Sequence, residues 1–250
     1  MDLWSQCGAD LIPGDLEGEL VRLVESQEQV ATTGLVENLA EQALLEHLLE
    51  AAKPPQRSGT EHLHYLLASP FRYPPLRHGS RFGSRFEPGL FYGSLNLTTA
   101  LAEGAYYRLV FWTAMAEPPP SGRLLTQHTA FRARYRSRHG LRLQEPPCRQ
   151  YEAALRHPSD YGPTQALGRR LRDLGTEGIE YRSARDPVGG INVGLFSPGA
   201  LVSRRPREPQ AWLCETGTQG VVYSAGSERM VHAFPASLFQ VEGRLPLPAA

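Results

Sequence analysis

The residues with the clearest chemical potential lie between Phe71 and Arg108. Four arginines precede Phe91 among glycine and proline residues: Arg72, Arg77, Arg81 and Arg85. A loop of this composition exposes backbone N–H groups together with guanidinium groups, and both kinds of donor bind phosphate or diphosphate. The sequence therefore predicts an anion-binding loop in this stretch.

An acidic residue follows the loop at a distance that one helix can span. Glu103 lies eleven residues after Tyr92. Its neighbours, an alanine and a glycine, leave room around the carboxylate. A carboxylate that faces an arginine- and aromatic-lined pocket suits a cationic ligand that carries a ribose. The arginines before Phe91, together with Tyr92 and Glu103, are therefore candidates for one ligand site.

The elements that must position these residues follow from apolar spacing and from caps. Asn96 or Thr98 would cap a helix that carries Glu103. Apolar residues alternate with arginines over 131–136, the period of a half-buried strand. The other predicted elements are strands at 89–92, 179–181, 191–196, 210–214 and 220–223, and a helix over 164–174 that ends at Gly175.

The first fifty residues carry apolar side chains at helical spacing. Residues 15–24 place leucine and valine on one face of a predicted helix that begins at an aspartate cap. A second predicted helix covers 35–48, and the proline pair at its end would stop it. We therefore expect an N-terminal helical extension over 1–58, followed by a mixed α/β (α+β) domain of short strands over 59–250.

Charge and targeting signals exclude several classes of protein. The 26 basic and 26 acidic residues balance, so the net charge favours neither nucleic acid nor a membrane surface. The first twenty residues are acidic and lack the apolar run of a signal peptide. No stretch approaches the roughly 20 apolar residues of a membrane span. We expect a cytoplasmic protein without a membrane partner.

The sequence offers little for a metal or a disulfide framework. The three cysteines, Cys7, Cys148 and Cys214, are far apart and form no CxxC pair, so we expect neither a zinc site nor disulfides. His62 and His64 form an HxH pair, but no third ligand lies close in sequence. Core or surface histidines are the favoured interpretation, and no metal is expected.

Several separated motifs together resemble the RES domain family, which is named for its arginine, glutamate and serine. They are Gly79-Ser80-Arg81-Phe82, Phe91-Tyr92-Gly93, Ala100-Leu101-Ala102-Glu103, and Gly178-Ile179-Glu180-Tyr181-Arg182-Ser183-Ala184-Arg185 followed by Asn192. An Arg72-Tyr73 pair is similar to an earlier family motif. The resemblance covers roughly residues 62–225. The sequence departs from the pattern at Phe82, where a tryptophan is usual, and in the short spacing between Arg72 and Arg81.

The resemblance implies both a fold and an activity. RES domains resemble ADP-ribosyltransferases in fold, and known members act as toxins that cleave NAD at the nicotinamide–ribose bond, by hydrolysis or phosphorolysis. Their partner is typically a Xre-type helix-turn-helix antitoxin that covers the active site. NAD would then be the substrate and inorganic phosphate a possible co-substrate, and no cofactor is implied.

The same resemblance implies roles for individual residues. Glu103 would stabilise the oxocarbenium-like ribosyl cation, because a carboxylate beside the ribose opposes its charge. Arg81 and Arg72 would hold the diphosphate or the attacking phosphate. Tyr92 would pack on the nicotinamide or its ribose. The implied catalytic set is Arg81, Tyr92, Glu103 and Ser183, and the implied substrate-binding set is Arg72, Tyr73 and Asn192.

Three other functions stay open at this point. A protein ADP-ribosyltransferase differs from the hydrolase only in the nucleophile that enters the site. A catalytically inactive nucleotide-binding module is disfavoured by the intact Glu103. Direct nucleic-acid binding would use the arginines at 132, 134, 136, 138 and 142, but a solvated strand face is the preferred interpretation because no stacking platform accompanies them. Those arginines could also dock an acidic surface of an antitoxin.

Overall fold

The computed structural model describes residues 2–26, 38–226 and 230–248. Its strands are β1 (Gly14–Glu25), β2 (Phe91–Ser94), β3 (Arg123–Arg142), β4 (Gly178–Arg182), β5 (Ile191–Leu195), β6 (Arg207–Gly217), β7 (Gly220–Ala225) and β8 (Met230–Pro235). Its α-helices are α1 (Leu3–Gln6), α2 (Leu39–Ala52), α3 (Tyr65–Arg72), α4 (Leu97–Thr113), α5 (Glu152–Leu155) and α6 (Gly162–Asp173). The predicted mixed α/β class is confirmed.

One eight-stranded mixed sheet organises the chain, in the order β1-β2-β5-β4-β3-β6-β7-β8. The strand β1 pairs with β2 at one edge and also with β3, so five strands are linked into a closed ring. The long β3 continues beyond the ring and pairs with β6, from which β7 and β8 extend. The helix α4 packs on this arrangement, and it contacts β1, β7 and β6.

Most of the predicted elements around residue 103 are confirmed. The helix predicted there is α4, and the Asn96 side chain caps it by accepting from the Thr99 backbone N–H at 2.8 Å. The strand predicted over 89–92 forms β2 two residues later, at 91–94. The remaining predicted strands and the helix that ends before Gly175 are present as β3 to β7 and α6.

The helix predicted over 15–24 is wrong, because these residues form the strand β1. Leu16 and Leu20 are both buried, and a spacing of four fits the period of a strand as well as that of a helix. These residues form a strand because they pair with β3 along the stretch from Gly14 to Glu25. This part of the expected helical extension therefore belongs to the sheet, and the division of the chain at residue 58 stays a prediction.

The second N-terminal helix is confirmed as α2, although residues 35–37 of the predicted range lie outside the described residues. Asn38 caps it, and it ends before Lys53. Its leucines do not enter the core, since Leu39, Leu44 and Leu48 are all more than half exposed.

The expectation that the cysteines would not form a disulfide is also wrong. Cys7, just after α1, and Cys148 are joined by a disulfide across a sequence separation of 141 residues. Both lie in an apolar cluster with Phe82, Leu167 and other residues of the core. Spacing along the chain cannot reveal such a pair, because only the fold brings the two residues together. Cys214 is a buried free thiol.

The arginines of β3 occupy a polar face, as the alternation predicted. Phe131, Ala133 and Tyr135 are buried. Arg132 lies on the other face, where it forms ion pairs with Glu19 and Glu208. Among the described residues, no helix has the length and apolar character to cross a membrane, and no group of three or more potential ligands is placed to hold a metal ion.

Candidate active site

The helix α4 presents Glu103 to the ends of neighbouring strands. Alanines at positions 100, 102 and 105 are buried, so the helix backbone approaches the sheet closely on that side. Glu103 itself is only partly buried. Its Oε1 atom accepts two hydrogen bonds, from the Ser183 hydroxyl and from the Asn192 amide, both at 2.6 Å. Its Oε2 atom makes no hydrogen bond with the described residues.

The loop after β4 fixes the direction in which Ser183 donates. The Ser183 hydroxyl oxygen accepts from the backbone N–H groups of Arg185 and Asp186, each at 3.0 Å. These two donors fill the lone pairs of the oxygen, so its single proton is directed to Glu103. Ser183 is fully buried, which keeps water from competing for that proton.

A strand pair fixes the second donor in the same way. Asn192 on β5 lies opposite Ser94 on β2 in the antiparallel register. The Ser94 hydroxyl donates to the Asn192 side-chain oxygen at 2.7 Å, so the amide nitrogen must face Glu103. Three of the residues predicted for the site, Glu103, Ser183 and Asn192, are therefore in direct contact.

A tight turn carries Arg81. The Ser80 N–H donates to the carbonyl of Gly83, and Gly79 has a φ of +74°, which a residue with a side chain adopts only with strain. Tyr92 supports this turn, since its hydroxyl accepts a hydrogen bond from the Phe82 N–H at 3.1 Å and lies 3.0 Å from the Ser80 hydroxyl. Burial raises the pKa of Tyr92 to about 12, so it is a neutral phenol at physiological pH.

The groups that the Arg81 guanidinium contacts among the described residues are uncharged. Its Nη1 atom donates to the carbonyls of Leu155 and His157, both at 3.0 Å. Its Cζ atom lies 4.5 Å from the centroid of the Tyr161 ring, a cation–π distance. Only 8% of the residue is exposed.

Arg185 is a second buried cation that the predicted site residues did not include. Its Nη2 atom donates to the Pro158 carbonyl at 2.5 Å and to the Tyr161 hydroxyl at 3.1 Å. Its Cζ atom lies 3.4 Å from the centroid of the Tyr106 ring. The sequence did give a signal, because Arg185 ends the same motif that contains Ser183, but its aromatic partners are remote in sequence.

Asp186 is the other residue that the sequence did not indicate. Its carboxylate accepts from the Thr99 hydroxyl on α4 at 2.6 Å and from the N–H groups of Val188 and Gly190. It thereby ties the loop that holds Ser183 to the first turn of the helix that carries Glu103. No sequence motif indicates this role of Asp186, because its partners lie on two separate segments.

The structure places Arg72 and Tyr73 apart from these contacts. The Arg72 guanidinium donates to Glu50 on α2 at 2.8 Å and to the Pro54 carbonyl at 2.6 Å. Tyr73 is 41% exposed at the end of α3. Neither residue has a described contact with Glu103, and their expected roles in substrate binding remain predictions.

The arrangement combines one carboxylate with two buried guanidiniums. Among the described residues, no ion pair joins Arg81 or Arg185 to a carboxylate. Asp186 is already occupied by donors. The site can therefore offer a negative oxygen, Oε2 of Glu103, to a developing cation and positive charge to an anionic group of the same ligand.

Comparison with known proteins agrees with the motifs. A family model described as the RES domain matches residues 54–216, more than half of the chain. A search of curated proteins finds no match. One solved structure that is similar is described as the M. tuberculosis MbcT–MbcA toxin–antitoxin complex, with 13% sequence identity, a TM-score of 0.49, and coverage of 83% of this chain and 90% of that chain. The match over residues 54–216 settles the family, and the chain is a member of the RES domain family.

Proposed function

We propose that this protein is an enzyme that cleaves the nicotinamide–ribose bond of NAD. The observation that carries the proposal is the Glu103 carboxylate, in which one oxygen is held by Ser183 and Asn192 while the other has no partner among the described residues. A carboxylate that is fixed in this way is preorganised, so it stabilises a developing charge without first rearranging.

The proposed reaction needs few chemical groups from the protein. The bond between the ribose C1′ and the nicotinamide nitrogen breaks, and both electrons go to the nicotinamide, which leaves as a neutral molecule. The ribose passes through an oxocarbenium-like state that the Glu103 carboxylate stabilises. Water or inorganic phosphate then forms the new C1′–O bond, and an attacking water releases its proton. Since the leaving group is neutral, no strong general acid is needed.

The family membership of the chain suggests the biological setting. In this proposal the enzyme is the toxin of a toxin–antitoxin pair, it acts in the cytoplasm, and a Xre-type helix-turn-helix protein is its antitoxin. Depletion of NAD would then be the toxic event.

The test is to incubate antitoxin-free protein with NAD, with and without phosphate, and to identify the products by mass spectrometry. Hydrolysis gives nicotinamide and ADP-ribose, whereas phosphorolysis gives nicotinamide and phosphorylated ADP-ribose. A gain in protein mass by one ADP-ribose unit would instead indicate a protein ADP-ribosyltransferase. NAD that stays intact under both conditions would show that the proposed activity is wrong.

A further inference from the structure

A continuous stack of two arginines and two tyrosines lies beside Glu103. Arg81 lies over the ring of Tyr161, the Tyr161 hydroxyl accepts from Arg185, and Arg185 lies over the ring of Tyr106. Tyr106 follows Glu103 by three residues on α4, so the stack connects the Arg81 turn to the helix that carries the carboxylate. All four residues are at least nine-tenths buried.

Each guanidinium in this stack is anchored by one terminal nitrogen only. Arg81 uses Nη1 for both of its hydrogen bonds, and Arg185 uses Nη2 for both of its own. The other guanidinium nitrogens of Arg81 and Arg185 have no partner among the described residues. Unpaired nitrogens of Arg108 and Arg172 are fully buried, but those of Arg81 and Arg185 are not. The unpaired nitrogens of Arg81 and Arg185 therefore reach solvent. For Arg81 the open atoms, Nε and Nη2, form the edge that binds an oxyanion with two parallel hydrogen bonds.

The electrostatic surroundings also lack a protein anion. Leu155, His157 and Pro158 offer backbone carbonyls, and the aromatic partners offer ring faces and hydroxyls. Among the described residues, Glu103 included, no carboxylate lies within ion-pair distance of either guanidinium. Burial raises the pKa of Tyr106 to about 12, so that residue contributes no negative charge at physiological pH. Two buried cations of this kind are complementary to a ligand that brings two negative charges.

We propose that Arg81 and Arg185 together bind the diphosphate of the nucleotide, and that Tyr161 is the positioning residue that holds both guanidiniums for it. Tyr161 acts through its ring on Arg81 and through its hydroxyl on Arg185. This inference rests on the proposed function for the identity of the ligand. It assigns the second phosphate contact to Arg185, since the guanidinium of Arg72 is already bound to Glu50 and Pro54.

Two substitutions at Tyr161 separate the two contacts. Tyr161→Phe keeps the ring under Arg81 but removes the acceptor for Arg185, whereas Tyr161→Leu removes both supports. Tyr151→Phe is the matched control, because it deletes a hydroxyl that bonds to the exposed Gln6 side chain, away from both arginines. Circular dichroism and a melting curve establish that each variant is folded.

The measurement is calorimetric binding of two ligands, ADP-ribose, which carries the diphosphate, and nicotinamide, which does not. We expect Tyr161→Leu to weaken ADP-ribose binding about tenfold or more, because charge-assisted hydrogen bonds lose their alignment. Tyr161→Phe should weaken it less, and Tyr151→Phe should leave it unchanged. Nicotinamide affinity should stay the same in all three variants, whereas a general loss of structure would weaken both ligands.

Two results would overturn the inference: unchanged ADP-ribose affinity in Tyr161→Leu, or an equal loss of affinity for both ligands. If Tyr161→Leu does not fold, an ADP-ribose affinity in Tyr161→Phe equal to that of the wild type overturns it instead. A wild-type protein that does not bind ADP-ribose also contradicts it. The proposed function fails separately, when the wild type leaves NAD intact, whatever the binding of ADP-ribose.

Discussion

At the scale of single residues, the Glu103 carboxylate accepts hydrogen bonds from two side chains that are themselves fixed by further hydrogen bonds. Ser183 is fixed by two backbone N–H groups, and Asn192 is fixed by the Ser94 hydroxyl. None of these contacts requires a ligand, so the orientation of Glu103 exists before substrate binds. In the proposed reaction, this preorganisation would make the charge of Glu103, more than its size, the property on which catalysis depends.

Replacement of Glu103 by glutamine should therefore lower kcat for NAD cleavage by roughly 100-fold or more, a loss of about 3 kcal/mol of transition-state stabilisation. The affinity for NAD should change far less, because in the ground state the positive charge is spread over the nicotinamide ring and moves onto the ribose only in the transition state. Steady-state kinetics measure kcat, and titration of the folded variant with NAD measures the affinity. Glu215→Gln, an exposed residue paired with Arg123, is the control. Near-wild-type turnover in Glu103→Gln would remove Glu103 from the catalytic role.

Arg81→Ala should have a different kinetic signature from Glu103→Gln. A diphosphate contact contributes to binding in the ground state as well as in the transition state, so NAD affinity itself should weaken. Titration of the folded variant with NAD would show this as a raised Kd. An unchanged Kd would mean that the open edge of Arg81 does not meet the ligand.

At the scale of elements, the sequence predicts local features well and distant pairings poorly. The cap at Asn96 and the spacing from Tyr92 to Glu103 are local, and both place α4 correctly. The strand β1 could not be identified, because Leu16 and Leu20 fit two periods and the deciding partner β3 lies more than a hundred residues away. The contacts of Arg185 with Tyr106 and Tyr161 depend on the fold in the same way.

The disulfide between Cys7 and Cys148 should stabilise the native state by fixing α1 to the segment that precedes α5. Closing a loop of this length restricts the unfolded chain, an effect worth typically 2–4 kcal/mol. A reducing agent should therefore lower the Tm of the wild type. The double variant Cys7→Ser, Cys148→Ser should melt at a lower temperature with or without the reductant. A wild-type Tm that does not respond to reduction would contradict this expectation.

At the scale of the whole molecule, a closed ring of five strands connects several of the segments that form the site. The contacts of Glu103 come from β5 and from the loop after β4, whereas the turn that carries Arg81 is supported by β2, and the Arg81 guanidinium by the end of α5 and the residues that follow it. These segments must therefore be assembled with α4 and with the turn that carries Arg81 before the site exists. A family match could locate the key residues, but their mutual geometry required the complete sheet.

If NAD depletion is the biological effect, expression of the wild-type protein in bacteria without a partner should arrest growth and lower cellular NAD. Glu103→Gln should be expressed at a similar level without arresting growth, because the substitution removes activity and not the fold. Culture density and extracted NAD measure the two effects. Normal growth with soluble wild-type protein and unchanged NAD would count against a toxin role.

The hydrogen bond from the Tyr106 hydroxyl to the Pro246 carbonyl spans 140 residues, so it can form only late in the synthesis of the chain. The Arg185 guanidinium lies over the Tyr106 ring, so this bond helps to fix one partner of that guanidinium. Translation adds about 5–20 residues per second, so Tyr106 waits on the order of 10 s for Pro246. We therefore expect a chain that is still attached to its ribosome before that point to hold Arg185 less firmly than the finished fold does.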